Sequence, residues 1–204
     1  MDDVLAGRKL RLTYLRDPRS IEAVVNGQLF NQVAPRGQYG ALAWAVQPRL
    51  YGLTHLVLAV DRHTGQPLGL LAARDHATSH EPFLMIETAM VVPDHATLPQ
   101  RMLGMVIMRG IGADRMPQSI ATGINDTTMG PALREGGRRI VGATFDAGIE
   151  QVVVQLKSAA LARRIGRTVG PGAGLAILDL RGVDKGSLTE GATRLYRGRS
   201  YRRG

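Results

Sequence analysis

Residues 83–106 read FLMIETAMVVPDHATLPQRMLGMV, and this stretch decides the fold. Its first part, Phe83 to Val92, is an apolar run of strand length that carries one acid, Glu87, and is stopped by Pro93-Asp94. From Leu98 to Met116 the spacing changes. Met102, Met105, Val106, Met108, Ile111 and Gly112 fall on one helical face and predict a buried stripe.

Upstream, Lys9 to Leu15 alternates charged and apolar residues, which puts Leu10, Leu12 and Tyr14 on one strand face. Asp17-Pro18 opens a helix over Arg19 to Val33, with Ile21, Val24, Val25 and Leu29 at helical spacing, and a second helix is expected over Gly40 to Leu50. His55 to Asp61 and Pro67 to Ala73 are strands joined by Arg-His-Thr-Gly-Gln, a hairpin with glycine in its loop. Downstream come a strand over Ser119 to Ile124 and a helix started by Asn125 or Asp126, whose short side chain can accept free amides, and ended by Gly136-Gly137. Strands near Arg139 to Thr144 and Gln151 to Leu156, a helix over Ser158 to Thr168, a Gly-Pro-Gly turn and a strand over Leu175 to Leu180 complete the order. That order is α/β with a mixed sheet.

The chain has 204 residues, 44% apolar and 21% charged, the composition of a soluble globular domain with a sizeable core rather than of a disordered chain. Its apolar runs fall far short of the roughly 18 residues needed to span a bilayer, and its start has no apolar signal region, so no membrane span or signal peptide is expected. Cysteine is absent, which excludes disulfides, thiolate metal sites and cysteine nucleophiles. A cytoplasmic protein is expected. The net charge of +9 is concentrated at the end: Arg194, Arg197, Arg199, Arg202 and Arg203 stand in a stretch without acids, interleaved with Tyr196 and Tyr201. Such a tail suits nucleic acid, a membrane surface or an acidic protein groove.

From Arg8 to Leu156 the chain resembles the GNAT superfamily of acyl-CoA N-acyltransferases. The element order, the segment FLMIETAMVVPDH, the run Arg101-Met102-Leu103-Gly104-Met105-Val106 and the segment NDTTMGPALREGG carry the resemblance. It implies a mixed, mostly antiparallel central sheet flanked by helices. We accordingly place a GNAT-like domain at 1–157 and a helix-strand extension with the Arg-rich tail at 158–204.

The resemblance also implies a site. Acetyl-CoA would be held by the backbone of Met90, Val91 and Val92 along its pantetheine arm. Its pyrophosphate would sit at Arg101, Met102, Leu103, Gly104, Met105 and Val106, where a helix N-terminus offers amides and a positive dipole end. Asn125 is a further cofactor contact, although an asparagine there is more often a helix cap. Glu87 would be the general base that keeps the attacking amine neutral. Two departures stand out. Val106 replaces a small residue in the phosphate motif, and the family's acid tyrosine falls on Ala132 or Leu133, so that Thr127, Thr128 or water must substitute.

Other candidate chemistry is thinner. His76 and His80 have the spacing of a metal pair but sit in a polar loop with no obvious third ligand, so no metal is expected. His55, on a strand face, reads as a packing residue. There is no Gly-x-Ser-x-Gly elbow and no phosphate-binding Walker loop. The leading expectation is an acetyl-CoA-dependent N-acyltransferase that passes an acyl group to an amine by direct attack in a ternary complex. The alternative is a catalytically inactive GNAT-fold structural subunit of a large assembly such as a phage virion, held as a homo-oligomer or larger complex through its tail; a nucleic-acid-associated module is a weaker third.

Overall fold

The computed structural model describes residues 3–5, 8–25, 53–76, 82–92, 95–111, 117–123, 126–148 and 175–198. In chain order the elements are β1 (Asp3–Leu5), β2 (Arg8–Leu15), α1 (Pro18–Val25), β3 (His55–Asp61), β4 (Pro67–His76), β5 (Phe83–Val91), α2 (Leu98–Ile111), β6 (Ser119–Gly123), α3 (Met129–Arg139), β7 (Thr144–Gly148), β8 (Leu175–Asp179) and α4 (Lys185–Arg197). The strands form one sheet in the order β1-β2-β3-β4-β5-β6-β8-β7. Every neighbouring pair is antiparallel except β5 and β6, which α2 connects as a parallel crossover. The mixed, mostly antiparallel sheet is the expected one.

Strand alternation divides the core. On β3 and β4 the residues Val57, Ala59, Leu71 and Ala73 face the main cluster, built with Met102, Leu103, Leu133, Ala192 and Leu195 of the three later helices. Their neighbours Leu56, Leu70 and Ala72 pack with Ile21 of α1 and Met90 in a second cluster. Asp17 starts α1 as expected: its carboxylate accepts from the Ser20 amide and hydroxyl, each at 2.8 Å. In the β3–β4 turn Asp61 Oδ1 accepts from the His63 and Thr64 amides, and Gly65 takes φ 69°.

Several expectations are corrected. The segment beyond residue 157 is no appendage: β8 lies inside the sheet between β6 and β7, and α4 buries Leu188, Ala192, Leu195 and Tyr196 in the main core. The boundary at 157/158 therefore separates no independent core. Nor do all five arginines belong to a tail. Arg194 and Arg197 belong to α4, Arg194 is paired with Glu190, and residues 199–204 lie outside the described ones.

Gly136-Gly137 does not end α3, which runs to Arg139. These glycines make room: an added Cβ would lie 2.9 Å from Leu178 at Gly136 and 3.0 Å from Phe145 at Gly137. Arg139 is thus helical, and the strand expected at Arg139 to Thr144 begins at Thr144. The expected helix over Gly40 to Leu50, the strand over Gln151 to Leu156, the helix over Ser158 to Thr168 and the outer ends of the Arg19–Val33 and Leu98–Met116 helices lie outside the described residues.

Candidate functional site

The parallel ladder between β5 and β6 is short. It pairs Phe83 with Ser119, Leu84 with Ile120 and Met85 with Ala121, and stops. β5 runs on to Val91 and β6 to Gly123, so the two strands part after Met85. Beyond that point β5 is held from the β4 side: Met90 pairs with Leu70, Val91 with Gly69, and the Val92 amide donates to Leu68 O at 2.9 Å. No described strand pairs with Ile86–Val91 on the other side. Backbone groups left in such a gap can take an extended ligand as an added strand.

Thr122 stands in the gap. Its hydroxyl lies 3.4 Å from Ile86 O and 3.1 Å from Asp126 Oδ2, and the residue is 1% exposed. The other Asp126 oxygen accepts from the Thr128 and Met129 amides, both at 2.8 Å, and so starts α3. Of the two candidates for this start, Asp126 has the role; Asn125 lies outside the described residues. Next to the gap a cleft of about 700 Å³ is lined by Gln100, Asp126, Thr127, Arg134, Phe145 and Ala176, among others. The Arg134 guanidinium lies 5.2 Å over the Phe145 ring.

The expected phosphate segment is largely engaged within the protein. Arg101 to Val106 lie in the first half of α2, as expected, but Met102, Leu103, Met105 and Val106 are buried in the main core. The Arg101 amide donates to Thr97 O at 3.2 Å, the Leu98 amide donates to His95 O at 2.9 Å, and Pro99 has no amide hydrogen. Three of the first four backbone positions are therefore closed to a phosphate. The Arg101 side chain is 3% exposed and turned to α4, where Nε donates to Tyr196 O at 2.9 Å. Gly104 faces α4 as well. An added Cβ there would lie 2.5 Å from Tyr196 N and 2.6 Å from Ala192 O, so this glycine permits a helix crossing.

Glu87 occupies a bulge: β4 pairs Ala72 with Thr88 and Ala73 with Ile86, leaving Glu87 as the extra residue of β5. Its carboxylate is 1% exposed, and Oε1 lies 3.3 Å from an Arg74 guanidinium nitrogen. Among the later candidates, Ala132 and Leu133 are core residues, Thr127 is exposed, and Thr128 makes no side-chain cap bond. His76 stacks on Phe83 with centroids 4.3 Å apart; His80 lies outside the described residues, among which no three His, Asp or Glu side chains converge as metal ligands.

Arg74 and the contact of Thr122 with Asp126 were not anticipated from the sequence. The Asp-Thr-Thr run does show, as expected, a carboxylate turned onto following amides. Nothing local announces that Arg74 and Glu87 meet, because strand register brings them together.

The mixed, mostly antiparallel sheet with helices packed on it matches the arrangement implied above. The fold is the mixed α/β one that the resemblance implies. No family model matches the chain, and no curated protein matches it. Among solved structures it is similar to N-acetylglutamate synthase from Neisseria gonorrhoeae complexed with coenzyme A and N-acetyl-glutamate, at 16% identity and a TM-score of 0.44. That match covers 84% of this chain and 35% of the synthase. It is also similar to the ribosomal-protein-S5-alanine acetyltransferase of Vibrio fischeri, at 10% identity and TM-score 0.45 over 90% of this chain and 99% of that one. A third similarity is to a putative acetyltransferase from Salmonella typhimurium with its cofactor acetyl-CoA, at 15% identity and TM-score 0.41 over 83% and 94%. No described helix is long and apolar enough to cross a membrane.

Proposed function

We propose that the protein is an acetyl-CoA-dependent N-acyltransferase that passes an acyl group to an amine by direct attack in a ternary complex. The observation that carries this reading is the gap after Met85–Ala121, where β5 continues with β4 on one side and no described strand on the β6 side. The backbone of Met90, Val91 and Val92 would hold the pantetheine arm, and Arg134 in the adjacent cleft supplies a cation for the nucleotide end. Acetyl-CoA, when bound, supplies an activated acyl group with a thiolate as its leaving group. The chain's part is to fix the extended arm, exclude water and receive the proton of the attacking amine.

Glu87 is the base of this reading, and it acts once the Arg74 contact loosens, since both side chains are largely shut off from solvent. The α2 start is a poor pyrophosphate site because Leu98, Pro99 and Arg101 offer it no open amide. The fit is thus good along the strand gap and poor at that helix end. The closed helix end and the engaged Glu87 favour the second reading, a GNAT-like subunit without catalysis that serves a larger assembly.

Calorimetric titration with acetyl-CoA tests both, paired with Thr127→Trp, an exposed cleft position where the indole blocks the opening without touching the core. Micromolar binding that Thr127→Trp removes supports the transferase and leads to an acceptor screen by thiol release. Absence of binding by the folded wild-type protein overturns it in favour of the structural subunit.

A further inference from the structure

The cleft of about 700 Å³ beside the strand gap has the size of a small-ligand site, and its lining includes two arginines and two acids. Both acids are already engaged. Asp126 Oδ1 accepts from the Thr128 and Met129 amides, each at 2.8 Å, and Oδ2 lies 3.1 Å from the Thr122 hydroxyl. Glu135 Oε1 accepts from Arg139 Nε at 2.6 Å, while its other oxygen is 3.6 Å from Arg138. The Arg138 side chain is 71% exposed, and a long, exposed pair of this kind holds it only weakly. Arg134 is also exposed and has no carboxylate partner among the described residues. Its guanidinium lies 5.2 Å over the Phe145 ring, a contact that orients the cation without neutralising it.

The cleft therefore favours an anion, but neither helix start beside it supplies amides. At α2 the Leu98 and Arg101 amides are bound internally and Pro99 has none. At α3 the Thr128 and Met129 amides are taken by the Asp126 carboxylate, and the Gly130 amide donates to Asp126 O at 3.0 Å. An anion entering here meets side-chain cations instead. Arg134 and Arg138 stand one turn apart on α3, about 6 Å along its axis, and each offers a planar fork that matches a phosphate.

We propose that Arg134 and Arg138 hold the phosphate groups of the donor's nucleotide end in this cleft, in place of backbone amides at the start of α2. The identity of the ligand rests on the transferase reading; the new element is the transfer of the anion site from α2 to the exposed face of α3. Asp126 joins the two parts of the site, since it lines the cleft and reaches Thr122, whose hydroxyl lies 3.4 Å from Ile86 O in the gap. An arm laid along β5 thus leads into the cleft. Recognition by exposed guanidinium groups makes binding depend on salt and on the phosphates themselves.

Calorimetric titration tests this with acetyl-CoA, with phosphoadenosine diphosphate, which is the nucleotide end without its arm, and with adenosine, which has no phosphate. Adenosine is expected to bind far more weakly than phosphoadenosine diphosphate. Arg134→Gln and Arg138→Gln each weaken acetyl-CoA and phosphoadenosine diphosphate by about tenfold and flatten the salt dependence, since each removes a charge-assisted contact. Both side chains are exposed, so circular dichroism stays as in the wild type. Arg11→Gln, exposed on β2 near the other end of the sheet, removes the same charge and leaves the affinities unchanged. Acetyl-CoA binding that both folded cleft variants leave intact, or that falls equally in Arg11→Gln, overturns the arginine assignment while the transferase reading stands. Phosphoadenosine diphosphate lost in the cleft variants, with acetyl-CoA bound no more tightly than it, sustains the phosphate site and removes the donor reading. A folded wild-type protein that binds neither overturns both.

Discussion

Gly104→Ala adds one methyl group at the crossing of α2 and α4. Inside a helix this exchange by itself favours folding by about 0.5–1 kcal/mol, because glycine loses more backbone freedom than alanine. Here the new Cβ would lie 2.5 Å from Tyr196 N and 2.6 Å from Ala192 O. Ordinary carbon contacts need about 3.5 Å, so α4 must withdraw by about 1 Å. Both obstructing atoms are backbone, and no rotamer change relieves the overlap. Overpacking of this kind costs typically about 1–3 kcal/mol, and the rigid partners put this case near the upper end. Subtracting the helix gain leaves a loss of about 2 kcal/mol, or about 4–8 °C in melting temperature for a domain of this size.

Gly130→Ala is the control. It is also in a helix, α3, but an added Cβ there meets nothing within 4 Å, so the helix gain stands alone and the variant is neutral to slightly more stable. Urea unfolding followed by circular dichroism compares the two. Equal shifts in the same direction would refute the assignment of Gly104 to the helix crossing and return it to an open loop.

Three further outcomes are expected. Arg101→Met removes the donor to Tyr196 O and leaves that buried carbonyl unsatisfied, a loss of about 1–3 kcal/mol in urea unfolding. Glu87→Gln uncouples a charge from the nearly buried Arg74 and destabilises by about 3 kcal/mol, while the double variant with Arg74→Met recovers part of that in a double-mutant cycle; full additivity would deny the contact. Asp17, Asp179 and Asp184 are each held below the usual carboxylate range, by the Ser20 amide, the Arg181 guanidinium and the Ser187 hydroxyl in turn. Their folded values lie below their unfolded ones, so they contribute stability above the unfolded value that is lost as pH falls through the folded one. Unfolding measured from neutral pH down to about pH 3 therefore steepens below about pH 5, and Asp184→Asn shallows that slope.

Much of the architecture was legible because local patterns carry it. The alternation of Leu10, Leu12 and Tyr14, the apolar run of β5, the hairpin glycine at Gly65 and the carboxylate caps of Asp17 and Asp126 all act within a few residues. The misreadings come from residue types with two uses. Gly136 and Gly137 read as a helix end but yield space to Leu178 and Phe145. Gly104 reads as a phosphate-loop residue but serves a helix crossing. Arg194 and Arg197 read as part of a basic tail, although Leu188, Gly191, Ala192, Leu195 and Tyr196 turn inward around them to form α4.

The sequence by itself determined the strands β2 to β6 and β8 and the starts of α1, α2 and α3, though not β1 or α4, since hydrophobic period and capping chemistry are properties of consecutive residues. It also determined the order of β5, α2 and β6, from which a parallel crossover follows. Tertiary structure alone decided that Glu87 meets Arg74 and that the Tyr14 hydroxyl reaches His55 across β2 and β3. Each of these depends on strand register, and a slip of one residue would turn every such side chain to the opposite face. Register is fixed by which faces can be buried together, a condition set by the whole core and written in no single segment.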